Sequence, residues 1–120
     1  LQTPPALIAT AEAPAWPHSL VRQRADPWVW RHHDGYYYFT ASVPEYDRIE
    51  LRRSRTLEGL GEATPVVVWR KPASGPASHH IWAPELHHFD GKWYVYFAGG
   101  RADDIWAIRM YVLECASADP

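Results

Sequence analysis

The chain has 120 residues, of which 47% are hydrophobic and 22% charged, and its formal net charge is −2. This composition predicts one domain with a packed core and excludes general disorder. No basic face indicates nucleic-acid binding, and no apolar run approaches the ~18 residues that a membrane span needs. The single cysteine, Cys115, excludes an internal disulfide and does not fix the redox compartment.

The opening residues are predicted to be a leader. They begin with Leu1 rather than Met, so the chain is expected to be a processed or cut piece. A short apolar patch at 6–10 lacks preceding basic residues, which favours a flexible leader over the remnant of an export signal. The leader is placed at 1–23 and the folded domain at 24–120. A secreted or periplasmic location is slightly favoured, although the residues leave the compartment open.

One sequence pattern occurs twice. Residues 25–40 read ADPWVWRHHDGYYYFT, and residues 83–98 read APELHHFDGKWYVYFA. In both, Ala and Pro precede apolar and histidine residues, and an Asp-Gly pair leads into a run of aromatics. Asp-Gly favours a two-residue type I′ turn, in which both positions have positive φ. Each segment is therefore predicted to be a β-hairpin.

Further strands are predicted after each hairpin. The aromatic second strands do not alternate apolar with polar residues, which predicts that both of their faces are covered. The first hairpin is followed by two strands and the second by one, at 48–54, 65–69 and 108–116.

The two Asp-Gly turns lie 56 residues apart, a spacing typical of β-propeller blades of four meandering strands. The predicted fold class is therefore all-β, with a first blade at about 24–70 and an incomplete second blade at about 78–120. A small β-sandwich is the alternative. Because a propeller typically needs about 4–8 blades, the chain is expected to be the N-terminal part of a larger protein.

Four stretches together resemble one known family. They are ADPWV, DGYYYFTAS, PEYDRIELRRS and HIWAPELHHFDGKWYVYFAGG. From about residue 24 to residue 120 the chain resembles the five-bladed propellers of glycoside hydrolase family 43, in particular the exo-acting α-L-arabinofuranosidases. The resemblance implies an inverting glycosidase that removes terminal α-L-arabinofuranosyl or β-xylosyl residues from plant cell-wall polysaccharides or oligosaccharides.

The resemblance also implies a catalytic role for Asp26. In that family the Asp of the first-blade Ala-Asp-Pro motif is the general base, whereas a second Asp and the general acid Glu come from later blades. An inverting enzyme needs both a base and an acid, about 6.5–9.5 Å apart. The chain alone is therefore expected to lack the acid and to be inactive.

Four other residues are candidates for contacts with substrate. Glu85 follows the second-blade Pro, and three roles stay open: contact with substrate or a neighbouring site residue, which is favoured, a structural hydrogen bond, or proton donation. Trp82 is a candidate sugar platform or a core residue. The loop at 42–47 is expected on the same rim, so Glu45 and Tyr46 are either pocket residues or ordinary solvated loop.

No metal ligand is predicted. The pairs at 32–33, 79–80 and 87–88 are histidines, but adjacent strand residues point to opposite faces, and no zinc-type spacing is present. The resemblance implies no cofactor beyond the calcium ion that some relatives hold in the central channel of the complete propeller. The competing functions are a non-catalytic carbohydrate-binding propeller and a fructan-acting hydrolase, whose Asn-Asp-Pro-Asn type motif differs from the Ala-Asp-Pro-Trp found here.

Overall fold

A computed structural model describes residues 19–120, which form seven strands and one 3₁₀ turn, Glu58–Leu60. Most of the predicted leader lies outside the described residues. The strands are β1 Ala25–Arg31, β2 Tyr37–Ser42, β3 Arg48–Ser54, β4 Val66–Arg70, β5 His79–Phe89, β6 Lys92–Arg101 and β7 Asp104–Cys115.

The strands form two antiparallel meanders, ordered β1-β2-β3-β4 and β5-β6-β7. The all-β prediction is confirmed, and every predicted strand is present within a few residues. The last strand begins at Asp104, earlier than expected, and pairs with β6 as far as Cys115. No helix among residues 19–120 is long and apolar enough to cross a bilayer.

The two Asp-Gly turns differ. Asp90 and Gly91 have φ of 51° and 72° and form the predicted two-residue turn between β5 and β6. The same prediction is wrong for the first hairpin, where the His32 N–H donates to the Tyr36 carbonyl and closes a three-residue loop. In that loop only Gly35 has positive φ, at 87°. The backbone N–H of Tyr36 donates to Asp34 Oδ1 at 2.8 Å, an Asx-type bond that fixes the turn.

The two sheets pack face to face. Tyr38, Ile49 and Leu51 of the first sheet contact Trp93 and other apolar residues of the second in one buried cluster. Trp93 is 1% exposed, and its indole N–H donates to the Ala118 carbonyl at 2.9 Å. Burial of this many aromatic and β-branched side chains at the contact holds the sheets in one arrangement.

The outer face of the first sheet is also covered. Phe39 and Ala41 of β2 pack with Val21 and Leu60, so β2 is covered on both faces, as predicted. In β6, one face is covered within the described residues. There Trp93, Val95 and Phe97 are buried, whereas the residues between them are partly exposed.

Two hydrogen bonds join the first sheet to β5, the innermost strand of the second. The Trp28 indole N–H donates to the Leu86 carbonyl at 2.8 Å, and the Ile81 N–H donates to the Tyr46 carbonyl at 3.1 Å. Both bonds hold β5 against the first sheet. They place the start of β1, the start of β5 and the loop after β2 at one end of the two-sheet unit.

Candidate active site

Both innermost strands carry an irregularity at the proline that aligns the two repeats. The pairing register shifts between Ala25 and Trp28 in β1, and again between Trp82 and Glu85 in β5. Bulges of this kind re-aim side chains and are frequent beside active sites. The repeat seen in the sequence is therefore also a repeat of backbone geometry.

The residue before each of these prolines lies in the left-handed region. Asp26 has φ of 51° and Ala83 has φ of 48°. Aspartate tolerates this conformation better than most residues, whereas alanine loses about 1–2 kcal/mol there. Strain of this size persists only where the surrounding structure enforces it, and it concentrates at functional sites.

A buried serine connects the two bulges. Ser42, 3% exposed at the end of β2, lies 3.1 Å from Asp26 Oδ2 through its Oγ and accepts the Ala83 N–H at 2.8 Å. A backbone N–H can only donate, so it occupies a lone pair of the hydroxyl and leaves the hydroxyl proton for the carboxylate. The carboxylate is thus held by one hydrogen bond while the Asp26 residue stays exposed.

A charged network lies behind this bond. The Glu50 side chain is 9% exposed and accepts hydrogen bonds from Arg24 Nη2 at 3.0 Å and from Arg48 Nε at 2.7 Å. Burial opposes ionisation of Glu50, but the two guanidinium groups prevail and lower its pKa. Arg24 precedes β1 and Arg48 begins β3, so Glu50 ties the residue two positions before Asp26 to the start of β3.

Four ring side chains form an aromatic wall at the same end: Tyr46, His80, Trp82 and Trp106. The His80 and Trp82 rings stack 4.3 Å apart at 21°, and Tyr46 meets Trp82 edge-on at 5.7 Å. His80 Nδ1 lies 3.0 Å from the Ile105 carbonyl, which can only accept, so Nδ1 carries the proton. Trp106 lies 6.3 Å from Trp82 and is 70% exposed.

The two predicted glutamates have different surroundings. Glu85 is half-exposed and its Oε2 lies 3.2 Å from His87 Nε2, while the His87 ring packs against Trp28 at 5.0 Å. Glu45 is more exposed and pairs with Arg48 at 3.3 Å. Glu85 therefore belongs to the contact between the inner strands, and Glu45 belongs to the outer end of the charged network.

The structure brings part of the predicted set together. Tyr46 and Trp82 touch, and Asp26 is joined through Ser42 to the backbone next to Trp82. Ser42, His80 and Trp106 were not singled out as site residues by the sequence reasoning. Only Ser42 had a usable signal, because it opens the loop at 42–47 that was expected on the same rim as Asp26.

Two surface depressions among the described residues differ in their position and in their lining. One of about 420 Å³ is lined mainly by apolar residues such as Trp69, Val95 and Leu113 at the contact of the two sheets. A smaller open depression, about 340 Å³, is lined by Arg24, Ser42 and other residues around the Asp26 bulge. A sugar site combines apolar surface with a few placed polar groups, and this depression lies around the Asp26 bulge, so it is the relevant one.

One cluster of possible metal ligands exists among residues 19–120, and it contains no carboxylate. His32, His33 and His88 have ligand nitrogens within 4.8 Å of one another. The expectation that neighbouring histidines point apart does not hold for His32 and His33, because β1 ends at Arg31 and both lie in the turn. Burial, with the nearby His33, lowers the pKa of His32.

Comparison with known proteins identifies the family. Residues 19–119 match the family model of glycosyl hydrolases family 43. The chain belongs to this family. The predicted resemblance is confirmed, and the two sheets are two blades of the five-bladed propeller on which family 43 enzymes are built.

Named relatives in family 43 are similar over most of the chain. An extracellular exo-α-(1→5)-L-arabinofuranosidase of Streptomyces avermitilis is 59% identical, over 93% of this chain and 24% of that protein. The enzyme of the same name from Streptomyces chartreusis is 57% identical, over 97% of this chain and 36% of that protein.

A solved structure agrees with the fold. The crystal structure of an α-L-arabinofuranosidase from Lactobacillus brevis superposes with a TM-score of 0.77 at 52% identity, over 84% of this chain and 33% of that one. The chain thus spans about a quarter to a third of the length of these relatives.

Proposed function

We propose that the protein containing these residues is an inverting α-L-arabinofuranosidase that removes terminal arabinofuranosyl residues from plant cell-wall glycans. The observation that carries the proposal is Asp26, which is held by Ser42 at a strained bulge of the innermost strand of a family 43 blade. The names of the relatives support arabinosides as the substrate class. Two of these names include "extracellular", which supports secretion.

Asp26 would act as the general base. Its carboxylate takes a proton from a water molecule as the water oxygen bonds to the anomeric carbon. The bond from that carbon to the leaving oxygen breaks on the opposite face, and a carboxylic acid protonates the leaving oxygen. The resemblance assigns that acid to a later blade. A calcium ion in the central channel of the complete propeller remains an expectation drawn from the family alone.

The Ser42 hydroxyl would position the base. A single hydrogen bond fixes the direction of the carboxylate and leaves its second oxygen for water. Because Ser42 also accepts from Ala83, any shift between the blades would move the base. We therefore assign Ser42 as a positioning residue and Glu85, on the neighbouring inner strand, as a contact to substrate hydroxyls or to His87.

Trp82→Ala is expected to raise KM for arabino-oligosaccharides about tenfold with a smaller change in kcat, since an aromatic stacking contact contributes about 0.5–1.5 kcal/mol. The partly exposed indole would pack against the apolar face of the furanose, with His80 and Tyr46 fixing the ring. Steady-state kinetics of the full-length protein provide the test. Trp82→Phe should recover most of the loss. An unchanged KM accompanied by a lower Tm would instead assign Trp82 to core packing.

Substrate preference tests the proposed function itself. The full-length protein is expected to release nitrophenol from an aryl α-L-arabinofuranoside at least about tenfold faster, by kcat/KM, than from an aryl β-D-xylopyranoside, the margin that one well-formed pocket contact provides. Faster turnover of the xyloside would contradict the arabinoside assignment. Binding of arabino-oligosaccharides with no turnover of either substrate would identify a carbohydrate-binding propeller without hydrolase activity.

A further inference from the structure

Three histidines meet at the opposite end of the inner strands from Asp26. His32 and His33 follow β1, and His88 is the second-last residue of β5. The ring centroid of His32 lies 3.9 Å from that of His33 and 4.6 Å from that of His88. About six residues of extended strand separate His32 from Asp26, or about 20 Å, so the cluster is not part of the proposed active site.

The local fold explains why these side chains converge. The three-residue turn takes His32 and His33 out of the alternation of β1, so both rings point toward β5. The indole of Trp93, buried in the core, lies 4.5 Å from the His32 ring and 4.6 Å from the His88 ring. Two of the three rings therefore rest on a fixed surface, and the exposed His33 is free to adjust.

We propose that His32, His33 and His88 form a zinc-binding site that joins the hairpin of the first blade to the inner strand of the second. Imidazole nitrogens suit zinc and neighbouring transition metals, whereas calcium and magnesium require oxygen ligands. Tetrahedral zinc with Zn–N bonds of about 2.0–2.1 Å needs nitrogens about 3.3–3.4 Å apart. The nitrogens already lie within 4.8 Å, so a small movement, chiefly of the exposed His33, closes the site. A water molecule would complete the tetrahedron.

One contact opposes metal binding. The Trp30 indole N–H donates to His32 Nδ1 at 3.3 Å, which places the imidazole proton on Nε2. A metal at Nε2 requires that proton on Nδ1, so binding ends this hydrogen bond. The bond is long, and its loss is small beside the strength of three zinc–nitrogen bonds. Trp30→Phe removes the competing donor and should strengthen zinc binding.

The test is calorimetric titration of the full-length protein, stripped of metal by a chelator, with zinc chloride. We expect saturable zinc binding. Either His88→Gln or His33→Ala should weaken the zinc affinity of this site at least about 100-fold. Losing a direct ligand should lower metal affinity more than losing an outer-shell partner, which costs about 10–100-fold. His79→Gln is the matched control, because it also removes an imidazole from β5 but lies about 25–30 Å from His88 along the strand. Calcium chloride should give no signal that these variants alter.

Two further measurements give decisive outcomes without reference to activity. Zinc at 100 times its dissociation constant should raise Tm by about 3 °C or more, and His33→Ala should abolish the rise. X-ray absorption of the zinc form should show imidazole nitrogens at about 2.0 Å. Zinc binding that His33→Ala and His88→Gln leave unchanged, or a Tm that zinc does not raise, would overturn the proposal.

Discussion

Asp26→Asn in the full-length protein should lower kcat on an aryl α-L-arabinofuranoside by about 10²–10⁴-fold, the range that a general base contributes. Asparagine keeps the size of the side chain and its acceptor oxygen for Ser42, but it cannot take a proton from water. KM should change little, because the substituted group faces the attacking water. Tm should also change little, since the Asp26 residue is exposed and makes one hydrogen bond. Steady-state kinetics measure kcat and KM, and circular dichroism melting measures Tm.

Two variants separate the role of Asp26 from those of its neighbours. Ser42→Ala leaves the carboxylate in place but removes its positioning bond, so a loss of about 10- to 150-fold in kcat is expected, as one hydrogen bond to a charged group contributes about 1.5–3 kcal/mol. Glu85→Gln should keep kcat within about tenfold of the parent if Glu85 only contacts substrate hydroxyls. A loss with Glu85→Gln as large as that with Asp26→Asn would mean that Glu85 takes part in proton transfer.

The sequence predicted most of the fold because its local signals agree with each other. Asp90-Gly91 has the turn geometry that its residues favour, and the aromatic strands pack in the core. The geometry of the first turn was predicted wrongly. The Asp34 carboxylate accepts hydrogen bonds from the Tyr36 N–H and the Tyr38 hydroxyl, and Asp34 does not take the positive φ of a type I′ turn. That one-residue difference decides which way His32 and His33 point, and no pattern of spacing reveals it.

Less of the candidate site could be predicted. Asp26 was identified from a motif, whereas the bond through Ser42 to Ala83 joins residues 41 positions apart and depends on how the blades dock. Trp106 gave no signal, since it lies before the predicted start of the last strand at 108. Contacts between blades are tertiary, so periodicity within one blade does not encode them.

Glu50→Gln should lower the free energy of unfolding by about 3 kcal/mol at pH 7, the lower end of the range for breaking a buried ion pair. The amide leaves Arg24 and Arg48 without their shared carboxylate in a part-buried site. Because Arg24 lies two residues before Asp26, the loss should extend to kcat. Urea denaturation of the full-length protein provides the measurement, and Glu62→Gln is the exposed control, expected within about 0.5 kcal/mol of the parent.

The loss of unfolding free energy caused by Glu50→Gln should become smaller as the pH falls. The arginines hold the folded-state pKa of Glu50 below its ordinary value of 4.5. A carboxyl whose pKa is lowered by folding stabilises the protein above the unfolded-state pKa, and this stabilisation is lost as pH falls through the folded-state value. The difference between parent and Glu50→Gln should therefore be constant from pH 6 to 8 and shrink below about pH 4.5. A difference that grows on acidification would contradict the charged network and point to a neutral, buried Glu50.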